Sequence, residues 1–245
     1  MRNFKFKNIF LYFVIVYRII LITKNPLKII YHYLLKTSPK FIKLRNGITI
    51  YTSSNPHDII TFVVIFAKRD YGKIKKNSVV VDIGANIGVF TLYALLNGAS
   101  HVEAIEPCKE AYETMKINIE KNRFMDKVNI NKIAVGDKDN SFALISKKSS
   151  PYNSILNKDN FSDTEKVNMS TLNKALNKIQ KIDLLKMDCE GAEYLIFPTL
   201  TKNFLDKVKE IRMEYHGNLN DLISSLSYQP FKILKKNESD VWLTK

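Results

Sequence analysis

Cysteine is scarce in this 245-residue chain, which contains only Cys108 and Cys189. Neither belongs to a Cys-x-x-Cys pair or to a spaced set of cysteines, and this argues against a disulfide scaffold and a cysteine-based zinc site. Two isolated cysteines are typical of proteins that work in a reducing compartment, so we expect a cytoplasmic location, with membrane association left open.

The chain also lacks a hydrophobic run long enough to span a bilayer. Residues 9–22 are apolar and aromatic, but they fall short of the roughly 18 residues that a spanning helix needs, and Arg18 interrupts them. No small-residue cleavage site follows them. Three interpretations stay open: a helix that packs on its own domain or on a second copy, peripheral membrane contact through residues 1–36, or a true anchor.

Acidic residues are few relative to basic ones. The chain has 38 Lys and Arg against 24 Asp and Glu, which gives a formal charge of +14. This excess favours an acidic partner such as anionic lipid, nucleic acid or an acidic glycan, although a genome-wide bias towards lysine explains it equally well. The length fits one domain with an N-terminal extension better than two full domains.

No phosphate-binding loop of a common type is present. The most organised stretch, residues 79–90, is a continuous apolar run that ends in Asp82 and passes through Gly84, Asn86 and Gly88 into a helical pattern. It predicts a buried parallel strand that turns tightly over a ligand. The loop matches neither Gly-x-Gly-x-x-Gly nor a Lys-Ser/Thr phosphate loop, which favours a ligand without a pyrophosphate.

Two later strand ends extend this predicted ligand site. Glu106 ends the second strand, 24 positions after Asp82, where an acid can accept both hydroxyls of a ribose. A third strand is predicted over residues 128–135 and closes on Gly136 and Asp137. These two residues are placed to hold a base ring, although a simple turn accounts for them as well.

A second set of polar residues follows the apolar strand predicted over residues 182–187. The sequence KMDCEGAE places Lys186, Asp188, Glu190 and Glu193 around a glycine. Two acids at i and i+2 point the same way from an extended strand end, and their repulsion needs a nearby cation or a shared proton. The alternative is structural: Glu190 caps the next helix and Asp188 accepts from a backbone amide.

The next predicted strand, residues 210–217, ends with Glu214 and His216 on one face. His216 is a candidate base or substrate ligand, and the alternative is a polar residue at the rim of the sheet.

The rest of the chain predicts three parts. Residues 1–40 form a basic, aromatic helical extension, in which residues 27–36 put Leu27, Ile30, Tyr31 and Leu34 on one helix face. Residues 41–77 carry an Asn-Gly hairpin and a helix over residues 58–71 that is ended by Gly72. Residues 78–245 form the main α/β domain, with a mobile polar loop at residues 147–168 and a C-terminal antiparallel strand pair.

Taken together, five motifs resemble the FkbM family of S-adenosylmethionine-dependent methyltransferases in their order and spacing. They are DIGANIG at residues 82–88, IEP at 105–107, AVGD at 134–137, KMDCEGAE at 186–193 and EYH at 214–216. The resemblance covers roughly residue 43 to the C-terminus. It departs from the family at Leu172 and Asn173, where the family usually has Leu-Asp, so no role is assigned to that acid.

The resemblance implies a class I methyltransferase sheet in a Rossmann-like arrangement, and methyl transfer to an oxygen of a sugar, polyketide or lipid-linked acceptor. It implies these cofactor-binding residues: Asp82, Gly84, Asn86 and Gly88 for the methionine part, Glu106 for the ribose, and Ala134 and Asp137 for the adenine. Lys186 and Glu214 are expected to contact the substrate. The candidate catalytic residues that take the hydroxyl proton are Asp188, Glu190 and His216; alternatively, Asp188 and Glu190 bind a divalent metal.

Three functions follow as hypotheses. The first is O-methylation of a sugar, a glycan or a lipid-linked acceptor at the cytoplasmic face of a membrane. The second is nucleic-acid methylation, which the charge of +14 favours but which the absence of an NPPY-type motif and of an RNA-binding module makes the weaker expectation. The third is a non-catalytic domain that binds the cofactor or a membrane.

Overall fold

A computed structural model describes residues 2–53, 55–147, 164–226, 231–237 and 239–245, with the side chains described from residue 11 onwards. Its helices are α1 (Arg2–Ile22), α2 (Pro26–Leu34), α3 (Asp58–Phe62), α4 (Val89–Leu96), α5 (Lys109–Lys121), α6 (Leu172–Ala175), α7 (Glu193–Ile196), α8 (Lys202–Lys207) and α9 (Leu219–Ser224). Its strands are β1 (Phe41–Lys43), β2 (Thr49–Tyr51), β3 (Val79–Ile83), β4 (His101–Ile105), β5 (Val128–Asn131), β6 (Ala134–Val135), β7 (Ser141–Ser146), β8 (Thr164–Ser170), β9 (Leu184–Met187), β10 (Glu210–Glu214), β11 (Lys232–Lys236) and β12 (Asp240–Thr244).

The main sheet has seven strands in the order β11-β12-β10-β9-β3-β4-β5. Strands β10, β9, β3, β4 and β5 are parallel, and β12 pairs antiparallel with both β10 and β11. The predicted Rossmann-like sheet with a C-terminal antiparallel pair is therefore confirmed. The chain leaves β3 for β4 on one side and returns to β9 on the other, so a crevice opens at the carboxyl ends of β3 and β9.

The strand predicted over residues 128–135 is wrong as a single element. It pairs with β4 only as far as Asn131, and after a break Ala134 and Val135 pair with β8 in a separate three-stranded sheet. The prediction of a loop over residues 147–168 is also wrong at its end, because residues 164–169 pair antiparallel with β7. The remainder of that predicted loop, residues 148–163, lies outside the described residues.

The predicted helix over residues 58–71 changes its winding partway. After α3, residues Val63–Lys68 form a π-helical turn that ends at Arg69 in the left-handed conformation, φ 63°, rather than at Gly72. From α1, the Arg18 guanidinium donates to the Ala67 carbonyl oxygen at 2.7 Å. This hydrogen bond gives a partner to a carbonyl at the end of the turn, which regular helical bonding would leave unpaired.

The first 77 residues share a core with the main domain. Ile15 and Ile19 of α1 are buried in one cluster with Ile50, Phe62 and Val80. On α2 the buried residue is Ile29, whereas the predicted apolar face is largely exposed, with Leu27 81% and Leu34 72% accessible. The N-terminal extension thus packs on the domain along a narrow stripe and leaves much apolar surface uncovered.

Side chains of α5 hold the predicted hairpin, which is confirmed as β1 and β2. Buried Asn118 accepts from the Tyr51 amide at 2.6 Å and donates to the carbonyls of Tyr51 at 2.9 Å and Ile87 at 2.8 Å. Asn122 repeats the pattern on the Thr49 amide and carbonyl. The amides therefore act as an additional hydrogen-bonding edge for β2.

Replacing Asn118 with Leu should destabilise the fold by about 2–4 kcal/mol, because an unpaired buried backbone group costs about 1–3 kcal/mol and more than one is left here. The measurement is the free energy of unfolding in urea. Lys121→Ala, an exposed change on the same helix, should stay within about 0.5 kcal/mol of the parent. Equal effects of the two substitutions would show that the side chain does not hold the hairpin.

Candidate active site

A cavity opens at the carboxyl ends of β3, β4 and β9, where the sheet topology places a ligand. Its walls include residues from the loop after β3, the ends of β4 and β9, and the start of β6. Predicted site residues that line it are Gly84, Asn86, Glu106, Ala134, Lys186, Asp188 and Glu190. Asp82, Gly88, Asp137, Glu214 and His216 do not.

A buried ion pair lies beneath this cavity. The Lys186 Nζ atom is 3.0 Å from Asp82 Oδ1 and donates to the Gly84 carbonyl oxygen at 2.9 Å, while Thr91 donates to Asp82 Oδ2 at 2.7 Å. Burial alone would lower the pKa of Lys186, but the carboxylates of Asp82 and Asp188 raise it above the ordinary value, so the ammonium stays charged. Asp82 thus supports the loop from below, being wholly inaccessible itself.

The loop after β3 approaches β9 closely at one glycine. Gly84 has φ +70°, and a Cβ atom there would collide with the carbonyl oxygen of Asp188. The amides of Gly84 and Ala85 both donate to the Ile105 carbonyl at 3.0 Å, so the loop is tied to β4 as well as to β9. Only glycine satisfies both the left-handed conformation and the close contact.

Glu106 faces the cavity from the end of β4. Its carboxylate accepts from the Asn86 amide at 2.8 Å and the Cys108 amide at 2.9 Å. Burial raises the pKa of Glu106 to about 7, against the lowering effect of these hydrogen bonds. Each carboxylate oxygen has a second lone pair, so the group can also accept hydroxyl protons from a ligand.

The wall next to Glu106 is apolar. It is formed by Ala134, by Ile133 and Val135 on either side of it, and by Ile145 of β7. Asp137, predicted to flank a base ring, is exposed and does not line the cavity. Sequence reasoning missed the three larger apolar residues, because their role depends on the break between β5 and β6.

A second cavity adjoins the first and is strongly acidic. The two share Thr61, Ile65, Asp188 and Glu190 in their walls, and the second adds Tyr71. Its carboxylates are Asp70, Asp188, Glu190, Glu214 and Asp240, whereas Lys68, paired with Asp70 at 2.5 Å, is its one lysine or arginine among the described lining residues. Burial, followed by the charge of Asp188, raises the pKa of both Glu190 and Glu214 to about 7.

His216 lies behind the acids rather than in either cavity. Its ring nitrogens are 3.4 Å from Glu190 Oε2, 3.6 Å from Glu193 Oε1 and 4.0 Å from Glu214 Oε1. The hydrogen bond with Glu193 raises the pKa of His216 to about 9, so it is an imidazolium at neutral pH. In this state it forms ion pairs with the carboxylates and cannot accept a proton.

The two structural alternatives are Glu190 as the cap of the next helix and Asp188 as the acceptor of a backbone amide. Neither contact is found among the described residues. Helix α7 carries no side-chain cap, and Glu190 instead has φ +54° and lies beside His216. Asp188 accepts from the Tyr71 hydroxyl at 3.1 Å. Tyr71 was missed because nothing in its local sequence distinguishes it from an ordinary core aromatic.

The possible metal pair, Asp188 and Glu190, stays a prediction. Within the described part of the chain, no three His, Cys, Asp or Glu side chains are arranged to hold a metal ion.

Removing the Lys186 cation alone should lower the free energy of unfolding far more than removing both charges of the Lys186–Asp82 pair. Lys186→Met leaves the Asp82 carboxylate buried without its counter-ion, and we expect a loss of about 3–5 kcal/mol in the free energy of unfolding. In the double variant Asp82→Asn, Lys186→Met, much of that loss should be recovered, because no buried charge is left uncompensated.

A double-mutant cycle in urea with the wild type, both single variants and the double variant measures this coupling. Lys202→Met, at an exposed lysine paired with Asp206, is the control and should change stability by less than about 1 kcal/mol. Additive losses in the cycle would contradict a supporting role of the ion pair.

Comparisons with known proteins find methyltransferases among the relatives of this chain. A ribosomal protein L11 methyltransferase of Thermotoga neapolitana is 32% identical over 87 residues, which are 36% of this chain and 31% of that protein. The aligned part of this chain therefore spans about a third of that relative. Methyltransferase 1 of Beauveria bassiana is 24% identical over 211 residues, covering 75% of this chain and 84% of that protein.

Among solved structures, SMU.776 complexed with SAH has a TM-score of 0.51 at 9% identity, over 85% of this chain and 57% of that chain, and this similarity shows a common fold alone. The family model described as the methyltransferase FkbM domain matches residues 82–230, which include the β3 loop, Glu106, Lys186 and three acids of the second cavity, Asp188, Glu190 and Glu214. With more than half of its length matched, the chain belongs to the FkbM methyltransferase family.

Proposed function

We propose that the protein is an S-adenosylmethionine-dependent methyltransferase that methylates a hydroxyl oxygen of a sugar, a glycan or a lipid-linked acceptor. One observation carries the proposal: a carboxylate-lined cavity adjoins the predicted donor cavity, and Asp188 and Glu190 belong to both walls. A hydroxyl placed at this shared wall lies beside a proton acceptor and faces the donor cavity.

The first cavity fits the methyl donor. Glu106 supplies carboxylate oxygens for ribose hydroxyls, the Ala134 wall suits an adenine ring, and the glycine at residue 84 keeps the loop free of a side chain. Residues 84–86 and Lys186 would face the methionine part. When bound, the donor supplies an electrophilic methyl group on a sulfonium.

The acids of the shared wall are suited to handle the hydroxyl proton. A general base works best when its pKa lies near the operating pH, and the pKa of Glu190 is raised to about 7. The His216 imidazolium holds Glu190 in place through its contact at 3.4 Å. We therefore assign the base to Glu190 or Asp188, and assign to His216 the positioning of Glu190.

The charge of the residues that line the second cavity also favours one chemical class of acceptor over another. Carboxylates accept hydrogen bonds from the many hydroxyls of a saccharide, whereas they repel the phosphates of a nucleic acid. Among the described residues, five carboxylates and one lysine line the cavity. This supports a saccharide and counts against RNA or DNA, although the net charge of the whole chain has the opposite sign.

A second candidate acceptor is a protein amine. An acidic cavity also suits a cationic amine, and the Thermotoga relative that matches over 87 residues is a ribosomal protein L11 methyltransferase. Carboxylates near pKa 7 could take the ammonium proton before transfer. The label-transfer experiment described below separates this candidate from the first.

Binding of the donor should depend on Glu106 and on pH. The carboxylate of Glu106, with a pKa of about 7, accepts ribose hydroxyls best when ionised, so affinity for S-adenosylmethionine should rise between pH 6 and pH 8. Glu106→Gln should weaken binding about 10- to 100-fold at pH 8, the usual range for a lost charge-assisted hydrogen bond, and should flatten the rise. Calorimetric titration measures both effects.

The matched control is Glu103→Gln, since Glu103 is a buried glutamate of β4, three positions before Glu106, that does not line this cavity. It should retain donor affinity and its pH dependence. NAD, which carries a pyrophosphate, should not bind. An affinity that is unchanged in Glu106→Gln would remove Glu106 from the donor site.

Methyl transfer should place the label in saccharide. Isotopically labelled S-adenosylmethionine and the protein are incubated with fractionated cell extract, and the product is treated with nuclease, protease, lipase or alkali. The bond of a sugar methyl ether is stable to all four treatments, whereas a methyl ester is hydrolysed by alkali. Label released by lipase as a methylated saccharide would indicate a lipid-linked acceptor. Label released by protease would favour the amine acceptor, and label released by nuclease would favour RNA.

In the same assay Asp188→Asn and Glu190→Gln test the proton acceptor. Loss of a general base costs typically 10²–10⁴-fold in rate, so at least one variant should fall by about 100-fold or more while donor affinity holds. Asp206→Asn, an exposed change in α8 at a residue that lines neither cavity, should be neutral. Full activity in both acid variants would refute the assignment.

A further inference from the structure

Helices α1 and α2 expose a large apolar surface. We call it the α1–α2 surface, and its exposed residues are Leu11, Tyr12, Phe13, Val16, Tyr17, Ile20, Leu21, Leu27, Tyr31, Leu34 and Leu35. From residue 11 onwards, only Ile15 and Ile19 of α1 are fully buried in the described structure. A contiguous apolar patch of this kind marks an interaction site rather than ordinary surface.

The charge of the chain is concentrated in the same segment. Residues 1–57 contain ten Lys and Arg and no Asp or Glu, so they carry +10 of the total formal charge of +14. Lys24 and Lys28 are exposed beside the apolar residues, and Lys36, Lys40 and Lys43 continue the basic border. Apolar and basic side chains are thus combined in a segment that contains no acid of its own.

We propose that the α1–α2 surface docks on a membrane leaflet that contains anionic lipid. Tyrosine and phenylalanine suit the boundary between headgroups and acyl chains, and each lysine near an anionic leaflet contributes about 1 kcal/mol to binding. The helices then lie along the leaflet, since no helix in the described part of the chain is long and apolar enough to cross a membrane.

Two other occupants fit less well. A second copy of the chain would cover the apolar residues, but it would bring two segments of +10 together, and like charges repel. A nucleic acid would neutralise the lysines but leave aliphatic side chains such as Ile20, Leu21 and Leu27 in water. An anionic leaflet matches both the apolar residues and the charge.

The docking surface connects to the acidic cavity through Arg18, which donates to the carbonyl oxygens of Ala67 and, at 3.4 Å, Lys68. Arg18, on α1, donates to the Ala67 carbonyl at 2.7 Å, and the π-helical turn that contains Ala67 also supplies Val64, Ile65 and Lys68 to the cavity wall. A docked protein would therefore hold this cavity near the leaflet, within reach of a lipid-linked acceptor. This last step rests on the proposed function, whereas docking itself does not.

Vesicle flotation of the full chain, without methyl donor or acceptor, tests docking separately from catalysis. The protein should float with vesicles of phosphatidylcholine plus phosphatidylglycerol, should float much less with phosphatidylcholine alone, and should lose binding as salt is added. Lys24→Gln, Lys28→Gln should weaken partitioning about 30-fold, the equivalent of about 2 kcal/mol for two lysines.

The apolar contribution is tested with Phe13→Ser, Tyr17→Ser, whose parent side chains are 70% and 61% exposed. This variant should lose at least about tenfold in partitioning. The control is Phe142→Ser, Leu144→Ser on β7, where the side chains are 55% and 56% exposed, and it should partition like the parent. Urea unfolding of every variant verifies that the fold is kept.

Three results would overturn the proposal. The first is equal flotation with both kinds of vesicle. The second is a dimer in sedimentation analysis that the Phe13→Ser, Tyr17→Ser variant converts to monomer while vesicle binding is absent, which would assign the surface to a second copy. The third is salt-sensitive retention of RNA that the apolar variant leaves unchanged, with no flotation, which would assign the charge to nucleic acid.

Discussion

The buried ion pair between Lys186 and Asp82 is the interaction on which the site depends. It joins β9 to β3 at the point where the strand order of the sheet reverses. The Lys186 ammonium group also donates to the Gly84 carbonyl oxygen at 2.9 Å. A buried charge is tolerated only when it is paired, so the two side chains fix each other's position. Once they are fixed, the β3 loop must pass directly under Asp188, and the close contact at Gly84 follows.

The ion pair also sets the electrostatics above it. Lys186 is compensated by Asp82 below and lies 4.0 Å from Asp188 above, so little of its charge is left for the remaining acids. Glu190 and Glu214 are half-buried beside Asp188, and this raises the pKa of both to about 7. His216, held as an imidazolium by Glu193, lies 3.4 Å from Glu190. Little positive charge therefore balances the acids of the second cavity. The pKa values of Glu190 and Glu214 stay raised, so these two carboxylates take up protons near neutral pH.

Much of this arrangement could be predicted from the sequence, because strand periodicity and the rule that parallel sheets bind ligands at their carboxyl ends depend on local pattern and topology alone. These gave the β3 loop, Glu106 and the acids after β9. Tyr71 and the Arg18 bond to the π-helical turn could not be predicted, since both depend on contacts across more than 45 positions of chain. On α2, helical spacing predicted an apolar face but not whether that face is buried. Ile29 is buried, whereas the more regular apolar row is exposed.

The contrast between the basic first 57 residues and the acidic lining of the second cavity changes how the basic character of the chain should be interpreted. Residues 1–57 hold +10 of the +14, whereas the cavity beside the proposed donor site is lined by five carboxylates. A polyanionic acceptor drawn to the basic segment would meet repulsion where the chemistry is proposed to occur. An anionic leaflet avoids this repulsion by the cavity carboxylates, because it binds the outer surface of α1 and α2 and need not enter the cavity. High positive charge in this chain is therefore better explained by attachment to a surface than by recognition of the acceptor.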